Sequence, residues 1–299
     1  VARMQRLVVS NNTEAKLMNI NRYEDNAATP AGDRRSLPQF LPMVQMERLA
    51  DAMKRQPGTE ADKRASGFNI SPCLTVTNHH VVYGDDMSPV RNQDYGMVIS
   101  AGVKQESQKF LGITKNTKDV VQHERSESGR GDWTVLKSPA CLGKTFGWFA
   151  PSKKTSRELI AEKAQVFVVS FPGDRAVGEL EVGFGNVTAS ADKGGLVEYN
   201  SSTAPGSSGG AVFVMEDGEM RLVGLHVGGK RDGDKYTFKS HTKENTNYFI
   251  PAAEFLQSPG VETAIEEDKQ LNGEQNKAEK FFKSVPNRQQ SKTAGRLTV

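Results

Sequence analysis

The chain has 299 residues, a length that suits one large domain or two small ones. Hydrophobic residues make up 36% of it and charged residues 25%, so we expect a packed core together with polar segments. The net charge of +3 is small and the charges are interspersed, which argues against a nucleic-acid-binding protein. No apolar run approaches the roughly eighteen residues that cross a membrane.

Residues 1–61 are polar and irregular, and we interpret them as an N-terminal extension that is partly helical or disordered. Within it, Met43, Met46, Leu49 and Met53 lie at helical spacing and predict a short helix on the domain surface. The narrow apolar stripe and mixed charges argue against a membrane role. The absence of an initiator methionine and of a signal peptide suggests a fragment or a processed product.

Between about 66 and 250 the chain consists of short β-rich runs separated by turn residues, a pattern typical of an all-β barrel or sandwich. Two runs flank Ser71-Pro72 in SGFNISPCLTVTNHHVVYG, and Asp217-Gly218 predicts a hairpin between GAVFVM and MRLVGLHV. The other strand candidates are YGMVISAG, FLGI, DWTVLKS, AQVFVVSF, LEVGFGNVT, LVEYN and NYFIPA.

After residue 250, PAAEFLQS predicts one short closing helix. Residues 257–299 are rich in Glu, Lys, Gln and Asn, so we interpret them as a polar C-terminal tail, solvated or disordered, with room for one helical segment.

Cys73 and Cys141 are the only cysteines, which is too few for a disulfide framework, and they do not form a CxxC metal motif. We therefore expect no metal site, a reducing compartment and an intracellular location.

The stretch TAPGSSGGAVF at 203–213 fits Gly-x-Ser-Gly-Gly with Ser208 as the central serine. Flanking glycines would let the loop project the serine and turn the N–H groups of Gly206 and Ser208 into an oxyanion hole. A glycine-serine turn without function would have the same composition, so both interpretations stay open on this motif alone. The strand and hairpin that follow favour the active-site loop.

Five histidines could supply the base: His79, His80, His123, His226 and His241. The first two close a β-rich run, and alternation along a strand would point them to opposite sides, so that only one can face the serine. His123 and His241 are expected in polar loops, where a structural role is the default interpretation.

The acid that orients the base is expected at the head of a hydrophobic strand. Asp132 precedes the run WTVL, where an ionised carboxylate needs a partner. Asp85, Asp86 and Asp119 lie in loop-like segments, where solvation suffices.

Taken in order, SGFNISPCLTVTNHHVV, GRGDWTVLKS, VFVVSFPGD, STAPGSSGGAVF and LVGLHVGG resemble the chymotrypsin-like serine peptidases. The disulfide-free branch is the most similar: HtrA-type proteases, staphylococcal glutamyl endopeptidase and viral chymotrypsin-like proteases. The resemblance covers about 62–256. It implies two six-stranded antiparallel β-barrels, about 62–150 and 151–256, with a substrate cleft between them.

Carried onto this chain, the resemblance makes His80 the general base, Asp132 the acid that orients it, and Ser208 the nucleophile, with oxyanion donors from Gly206 and Ser208. No cofactor is implied. Val81 replaces the cysteine that follows the histidine in secreted members, which favours an intracellular or viral setting.

The same resemblance implies a specificity pocket. His226 and Thr203 match residues with which some members bind a Glu or Gln side chain at P1, the substrate residue before the cleaved bond. A core role for His226 is the alternative. The backbone of Val227, Gly228 and Gly229 would pair with a polypeptide substrate bound as an added strand. A catalytically silent binding module of the same fold remains the rival function, and the oligomeric state stays open.

Overall fold

The computed structural model describes residues 7–11, 14–18, 34–37, 43–48, 64–83, 95–100, 108–113, 119–124, 131–138, 141–173, 178, 180–190, 195–201, 203–217, 219–229 and 246–273. The strands are β1 Leu7–Asn11, β2 Glu14–Met18, β3 Arg34–Leu37, β4 Met43–Arg48, β5 Arg64–Asn69, β6 Leu74–Thr77, β7 Tyr95–Ser100, β8 Gln108–Ile113, β9 Val120–Glu124, β10 Trp133–Lys137, β11 Gln165–Ser170, β12 Leu180–Ser190, β13 Val197–Asn200, β14 Ala211–Glu216, β15 Glu219–Gly229 and β16 Thr246–Pro251. The helices are α1 His79–Tyr83, α2 Leu142–Phe146, α3 Ser156–Ala161, α4 Ala252–Leu256 and α5 Pro259–Asn272.

Two antiparallel sheets of seven strands carry the fold, and β1 and β2 pair separately. The first sheet has the order β8-β7-β4-β5-β6-β10-β9. The second has the order β11-β14-β15-β16-β13-β12-β3, and an additional pairing of β11 with β12 closes its first six strands into a barrel. The all-β, trypsin-like double-barrel fold expected from the sequence is therefore confirmed.

One apolar core joins the two sheets. Phe68 of β5 and Phe213 of β14 both pack edge-on against Phe149, with ring centroids 5.9 and 4.5 Å apart. All three rings are buried, and they belong to a single cluster that includes residues of both sheets. Because aromatic rings bury a large area in fixed geometries, this core sets how the sheets sit against each other.

The helix expected around Met43 and Met46 is wrong, because this segment is strand β4. Residues 43–46 are all buried, so both faces of the strand are covered, and a helical stripe would have left two of these residues exposed. Leu49 and Met53 lie outside the described residues. Strands β3 and β4 also show that the extension assigned to 1–61 contributes strands to both sheets, although the domain limits themselves stay a prediction.

The predicted hairpin and closing helix are confirmed as β14–β15, paired from Ala211–Leu225 to Glu216–Glu219, and as α4. The helical segment allowed for in the tail is α5, which packs onto the first sheet and is therefore not fully solvated. Asp268 of this helix accepts hydrogen bonds from Ser71 Oγ and, at 2.7 Å, from the Cys73 amide. Residues 274–299 lie outside the described part of the chain.

The expectation of unpaired cysteines is wrong as well, because Cys73 and Cys141 form a disulfide. Ser138 at the end of β10 donates its amide to Cys73 O at 2.7 Å, and the Cys141 amide donates to Ser138 O at 2.9 Å. This turn brings together two cysteines 68 residues apart. The intracellular location loses the support it drew from unpaired cysteines. In the described part of the chain, no helix combines the length and apolarity needed to cross a bilayer.

Candidate active site

The register of β6 and β10 brings His80 onto Asp132. Thr134 of β10 pairs with Thr77 of β6. The residues that follow β6 and those that precede β10 therefore meet at the same end of this strand pair. His80 Nδ1 lies 2.6 Å from Asp132 Oδ2, and the His80 amide donates to Asp132 Oδ1 at 2.9 Å. Asn78 Nδ2 donates to the Asp132 backbone carbonyl at 2.9 Å and holds the head of β10 in place.

The Asp132 carboxylate is buried but stays ionised through this contact. Burial alone would raise its pKa, whereas the charge of His80 and the two hydrogen bonds from His80 lower it, and the pKa of Asp132 lies below its ordinary value. A carboxylate held in this way fixes the imidazole with Nδ1–H toward Asp132 and leaves Nε2 on the other side of the ring.

The side chains of His79 and His80 have different partners, as expected, but both residues lie in the first turn of α1 and not on a strand. The His79 ring stacks on Tyr83 with centroids 4.4 Å apart and lies 5.1 Å from the His123 ring. His123 is on β9, opposite Thr134, so the loop expected there is wrong. Asp85, Asp86 and His241 lie outside the described residues.

The two serines of the glycine-rich loop have different surroundings. Ser207 is 1% exposed, and its Oγ accepts hydrogen bonds from Ser170 Oγ at 3.0 Å and from the Ala204 amide at 3.3 Å. Ser208 is partly exposed, and its Oγ donates to the Val227 carbonyl at 3.2 Å. The Ser207 hydroxyl is thus buried and hydrogen-bonded, and the Ser208 hydroxyl is the accessible one of the two.

The Gly206 and Ser208 amides of the same loop point away from the segments that hold the loop in place. The Gly173 amide donates to Pro205 O at 2.6 Å, and the Gly210 amide donates to Ser207 O at 2.8 Å. Because the C=O and N–H of a trans peptide point in opposite directions, the N–H groups of Gly206 and Ser208 face the other side. Neither donates to any residue that the structure describes.

The loop lies against the histidine-bearing half of the site. The Ser66 amide of β5 donates to Ser208 O at 2.8 Å, which joins the first sheet to the loop. His226 lies next to Val227, whose carbonyl accepts the hydrogen bond from the Ser208 hydroxyl. His226 is also near enough to His80 for the charge of His80 to lower its pKa. The structure therefore pairs His80 with Asp132 in the first sheet, and the Ser66 amide joins that sheet to the loop that carries Ser208.

His226 is buried in the second barrel, with Nδ1 2.7 Å from the Tyr199 hydroxyl. Burial and the nearby charge of His80 lower the pKa of His226 to about 3, while a backbone hydrogen bond with Tyr248 acts in the opposite direction. The ring is therefore neutral over the ordinary pH range. Burial also raises the pKa of the Tyr199 hydroxyl well above its ordinary value, so this group stays protonated.

Thr203 is also buried, and its Oγ1 donates to Asn247 Oδ1 at 2.9 Å. Asn247 Nδ2 donates in turn to the Ser201 carbonyl. The sequence pattern did not point to Tyr199 or Asn247, because each lies in an ordinary strand and is brought to its partner only by the pairing of β13 with β16 and of β16 with β15.

The strand segment expected to bind substrate extends past its neighbour. Strand β14 begins at Ala211, which pairs with Leu225 of β15. Residues 227–229 continue beyond that point: Val227 lies at a register shift, and Gly228 and Gly229 pair with β16 on one side only among the described strands. Among the residues that the structure describes, no group of three or more His, Cys, Asp or Glu side chains could hold a metal ion.

Comparison with solved structures gives low sequence identity over most of the chain. A Glu endopeptidase in complex with MPD is 17% identical, with a TM-score of 0.51 over 78% of this chain and 96% of the other. Deg5 is 14% identical, with a TM-score of 0.47 over 77% and 91%. The active form of the Rv3671c protease from M. tuberculosis is 16% identical, with a TM-score of 0.42 over 80% and 84%.

At these identities the likeness supports only the fold. It rests on the Glu endopeptidase, whose TM-score is the one of the three above 0.5. No curated protein sequence is similar enough to the chain to match it. The family model described as the trypsin-like peptidase domain matches residues 65–225, which is more than half of the chain. The chain has the chymotrypsin-like serine peptidase fold and belongs to the trypsin-like peptidase family.

Proposed function

We propose that the chain is a serine endopeptidase acting through His80, Asp132 and Ser208. One observation carries the proposal: the charged contact of His80 with Asp132 lies in the sheet that hydrogen-bonds, through Ser66, to a loop with a partly exposed serine hydroxyl and two amides that donate to no described residue. Nucleophilic acyl transfer requires these four components, namely a nucleophile, its base, the group that orients the base, and oxyanion donors.

In the proposed reaction, the Ser208 hydroxyl turns from Val227 O to His80 Nε2, and Oγ attacks the scissile carbonyl carbon as Nε2 takes the proton. Asp132 stabilises the imidazolium that forms. The oxyanion accepts hydrogen bonds from the amides of Gly206 and Ser208, each worth about 3 kcal/mol in the transition state. His80 then returns the proton to the departing amine as the C–N bond breaks, and water hydrolyses the acyl-enzyme by the same steps.

The proposed substrate is a polypeptide bound as an extended strand along residues 227–229, with Gln or Glu at P1. Support comes from the neutral state of His226 and its contact with the Tyr199 hydroxyl. In the proposed tautomer this hydroxyl donates to Nδ1, and the imidazole proton is on Nε2. A neutral N–H donor suits the side-chain carbonyl of Gln better than the carboxylate of Glu, whose charge would be buried without a cation.

The triad is tested with Ser208→Ala and the matched variant Ser207→Ala. Ser208→Ala should abolish both peptide hydrolysis and labelling by a fluorophosphonate probe while the protein stays folded. Ser207→Ala should keep both activities and lose stability, because Ser207 is a buried hydrogen-bonding residue. Labelling or cleavage that survives in Ser208→Ala contradicts the proposal.

The specificity is tested with a peptide library, comparing wild type with His226→Ala and Tyr199→Phe. Wild type should cleave after Gln in preference to Glu, and both in preference to Leu. Tyr199→Phe removes only the hydroxyl that orients His226, so it should reduce discrimination by about tenfold or more without loss of the triad. A wild-type preference for an apolar P1 residue would assign His226 to the core.

The rival function is a silent binding module of the same fold. The hydrogen bond of Ser208 Oγ to Val227 O favours it, because a hydroxyl held there is not poised for attack. Folded wild-type protein that neither cleaves peptides nor reacts with the fluorophosphonate would establish this alternative.

A further inference from the structure

Ser66 of β5 is a buried serine outside the expected triad that contacts the serine loop with both its backbone and its side chain. Its amide donates to Ser208 O at 2.8 Å. Its Oγ donates to Gly206 O at 2.9 Å and accepts from the Phe171 amide at 2.8 Å. One side chain of the first sheet thus joins two segments of the second barrel.

The hydroxyl fixes one particular peptide plane. The plane between Gly206 and Ser207 is held at its oxygen by Ser66 Oγ, and at its nitrogen by the Ser207 amide, which donates to Ala204 O at 3.0 Å. The planes before and after it are the two that carry the undonated amides. Consecutive planes share a Cα atom, so restraining the middle plane limits how the backbone at Gly206 and Ser207 can rearrange, and the angles at these two residues set the orientation of both neighbours.

We propose that Ser66 is a positioning residue that holds the amides of Gly206 and Ser208 in the orientation that binds the oxyanion. This inference rests on the proposed peptidase function and adds a contribution from the first barrel to a hole built by the second. A hydroxyl suits this position because it donates once and accepts once, and both capacities are used.

Loss of the hydroxyl would leave the Phe171 N–H without a partner in the buried interior and would release Gly206 O at a partly buried position. Gly206 has φ +95°, a region open to glycine, so the plane can rotate about this residue to find another partner. The Ser66 backbone is itself held in place, since Thr77 Oγ1 donates to Ser66 O at 2.7 Å. The expected defect is therefore local to the loop.

The test compares Ser66→Ala with Thr75→Val. Thr75 is equally buried in the first sheet and its hydroxyl donates only to Asn69 Oδ1, at 3.0 Å, so the control removes a buried hydroxyl away from the loop. Ser66→Ala should lower kcat by about tenfold to hundredfold, with KM within about threefold of wild type. Its affinity for a peptidyl trifluoromethyl ketone, whose adduct carries an oxyanion, should fall by the same factor as kcat/KM. Thr75→Val should leave kcat, KM and ketone affinity unchanged, although its unfolding free energy should be comparable to that of Ser66→Ala.

A second readout does not depend on catalysis. Hydrogen exchange at the amides of Ser207 and Gly210 should be at least about tenfold faster in folded Ser66→Ala than in wild type or Thr75→Val. Unchanged exchange, or a fall in kcat without weaker ketone binding, overturns the role of Ser66. Wild-type protein that neither cleaves peptides nor labels would refute the peptidase proposal instead, and the exchange rates would still decide whether Ser66 positions the loop.

Discussion

The two halves of the candidate site are held by different kinds of bonds. In the first barrel, His80 and Asp132 hold each other through a charged side-chain contact of 2.6 Å at the ends of two paired elements. In the second barrel, the serine loop is held mainly through its peptide groups, with donors from Gly173 and Gly210.

This difference shows what each half needs from the fold. A charged pair needs two particular side chains and a register that brings them together. The loop needs each peptide plane turned to a particular side, which depends on donors from distant segments and on glycines that leave room for them. We therefore expect a substitution in the charged pair to remove activity without unfolding, and a substitution of a loop glycine that fixes the peptide planes to do both.

The largest expected effect is on the charged pair. Asp132→Asn keeps the shape of the side chain and removes the negative charge, so His80 loses both its preferred tautomer and the stabilisation of its imidazolium. We expect kcat to fall by about 10⁴-fold, measured with the best peptide of the library. Circular dichroism should show a native fold, and an unfolded Asp132→Asn protein would contradict the separation of the two halves.

The next effect concerns the loop. A Cβ at Gly209 would lie 1.9 Å from Ser66 O and 2.6 Å from Thr77 Oγ1, and its φ of +83° is strained for other residues. Gly209→Ala should therefore lose activity and destabilise the protein by about 2–5 kcal/mol in urea unfolding.

Gly273→Ala is the matched control, because Gly273 has φ +94° but nothing within 4 Å of the added Cβ. It should lose only about 1 kcal/mol and keep full activity. Equal losses in the two variants would show that backbone strain, and not the contact between barrels, sets the requirement for glycine at position 209.

A third effect tests whether the first half depends on cross-links away from the charged pair. Cys73→Ser with Cys141→Ser removes a disulfide between residues 68 apart, which constrains the unfolded chain by about 4 kcal/mol in the loop-entropy account. We expect a loss of about 2–4 kcal/mol in unfolding free energy and little change in kcat. Reduced wild type should unfold like the double variant, and a large change in kcat would link the disulfide to the site.

The effect that is smallest at neutral pH is a pH dependence in the second half. Because the pKa of His226 is about 3 in the native state, the unfolded chain takes up a proton below about pH 6.5 that the native protein does not. Stability due to this group is therefore present above pH 6.5 and lost on acidification toward pH 3, by about 1.4 kcal/mol per pH unit. His226→Gln should flatten the stability profile in this window, as measured by denaturant titrations at several pH values. An unchanged slope would show that other groups cause it.

Local pattern was sufficient where a residue's role depends on its neighbours along the chain. Alternating strands, the Asp217-Gly218 hairpin and the order of the histidine, aspartate and serine segments could all be predicted, and they indicated the double-barrel fold. It failed where partners are distant. Residues 43–46 match a helical period, but β5 and β7 pair with the two edges of this segment and all four residues are buried, so it is a strand. Helix α5 is polar in sequence, but its Asp268 bonds to Ser71 of another segment.

The sequence by itself determined which chemical groups are available: a histidine at a strand end, an aspartate before an apolar strand and a serine among glycines. Only the tertiary structure decided which serine is accessible, because Ser207 is buried and bonded to Ser170 while Ser208 is partly exposed. It also decided the pairing of the two cysteines and the contact of Ser66 with Gly206, 140 residues away. The physical reason is that side-chain chemistry is local, whereas burial and peptide-plane orientation depend on segments that meet only in the folded chain.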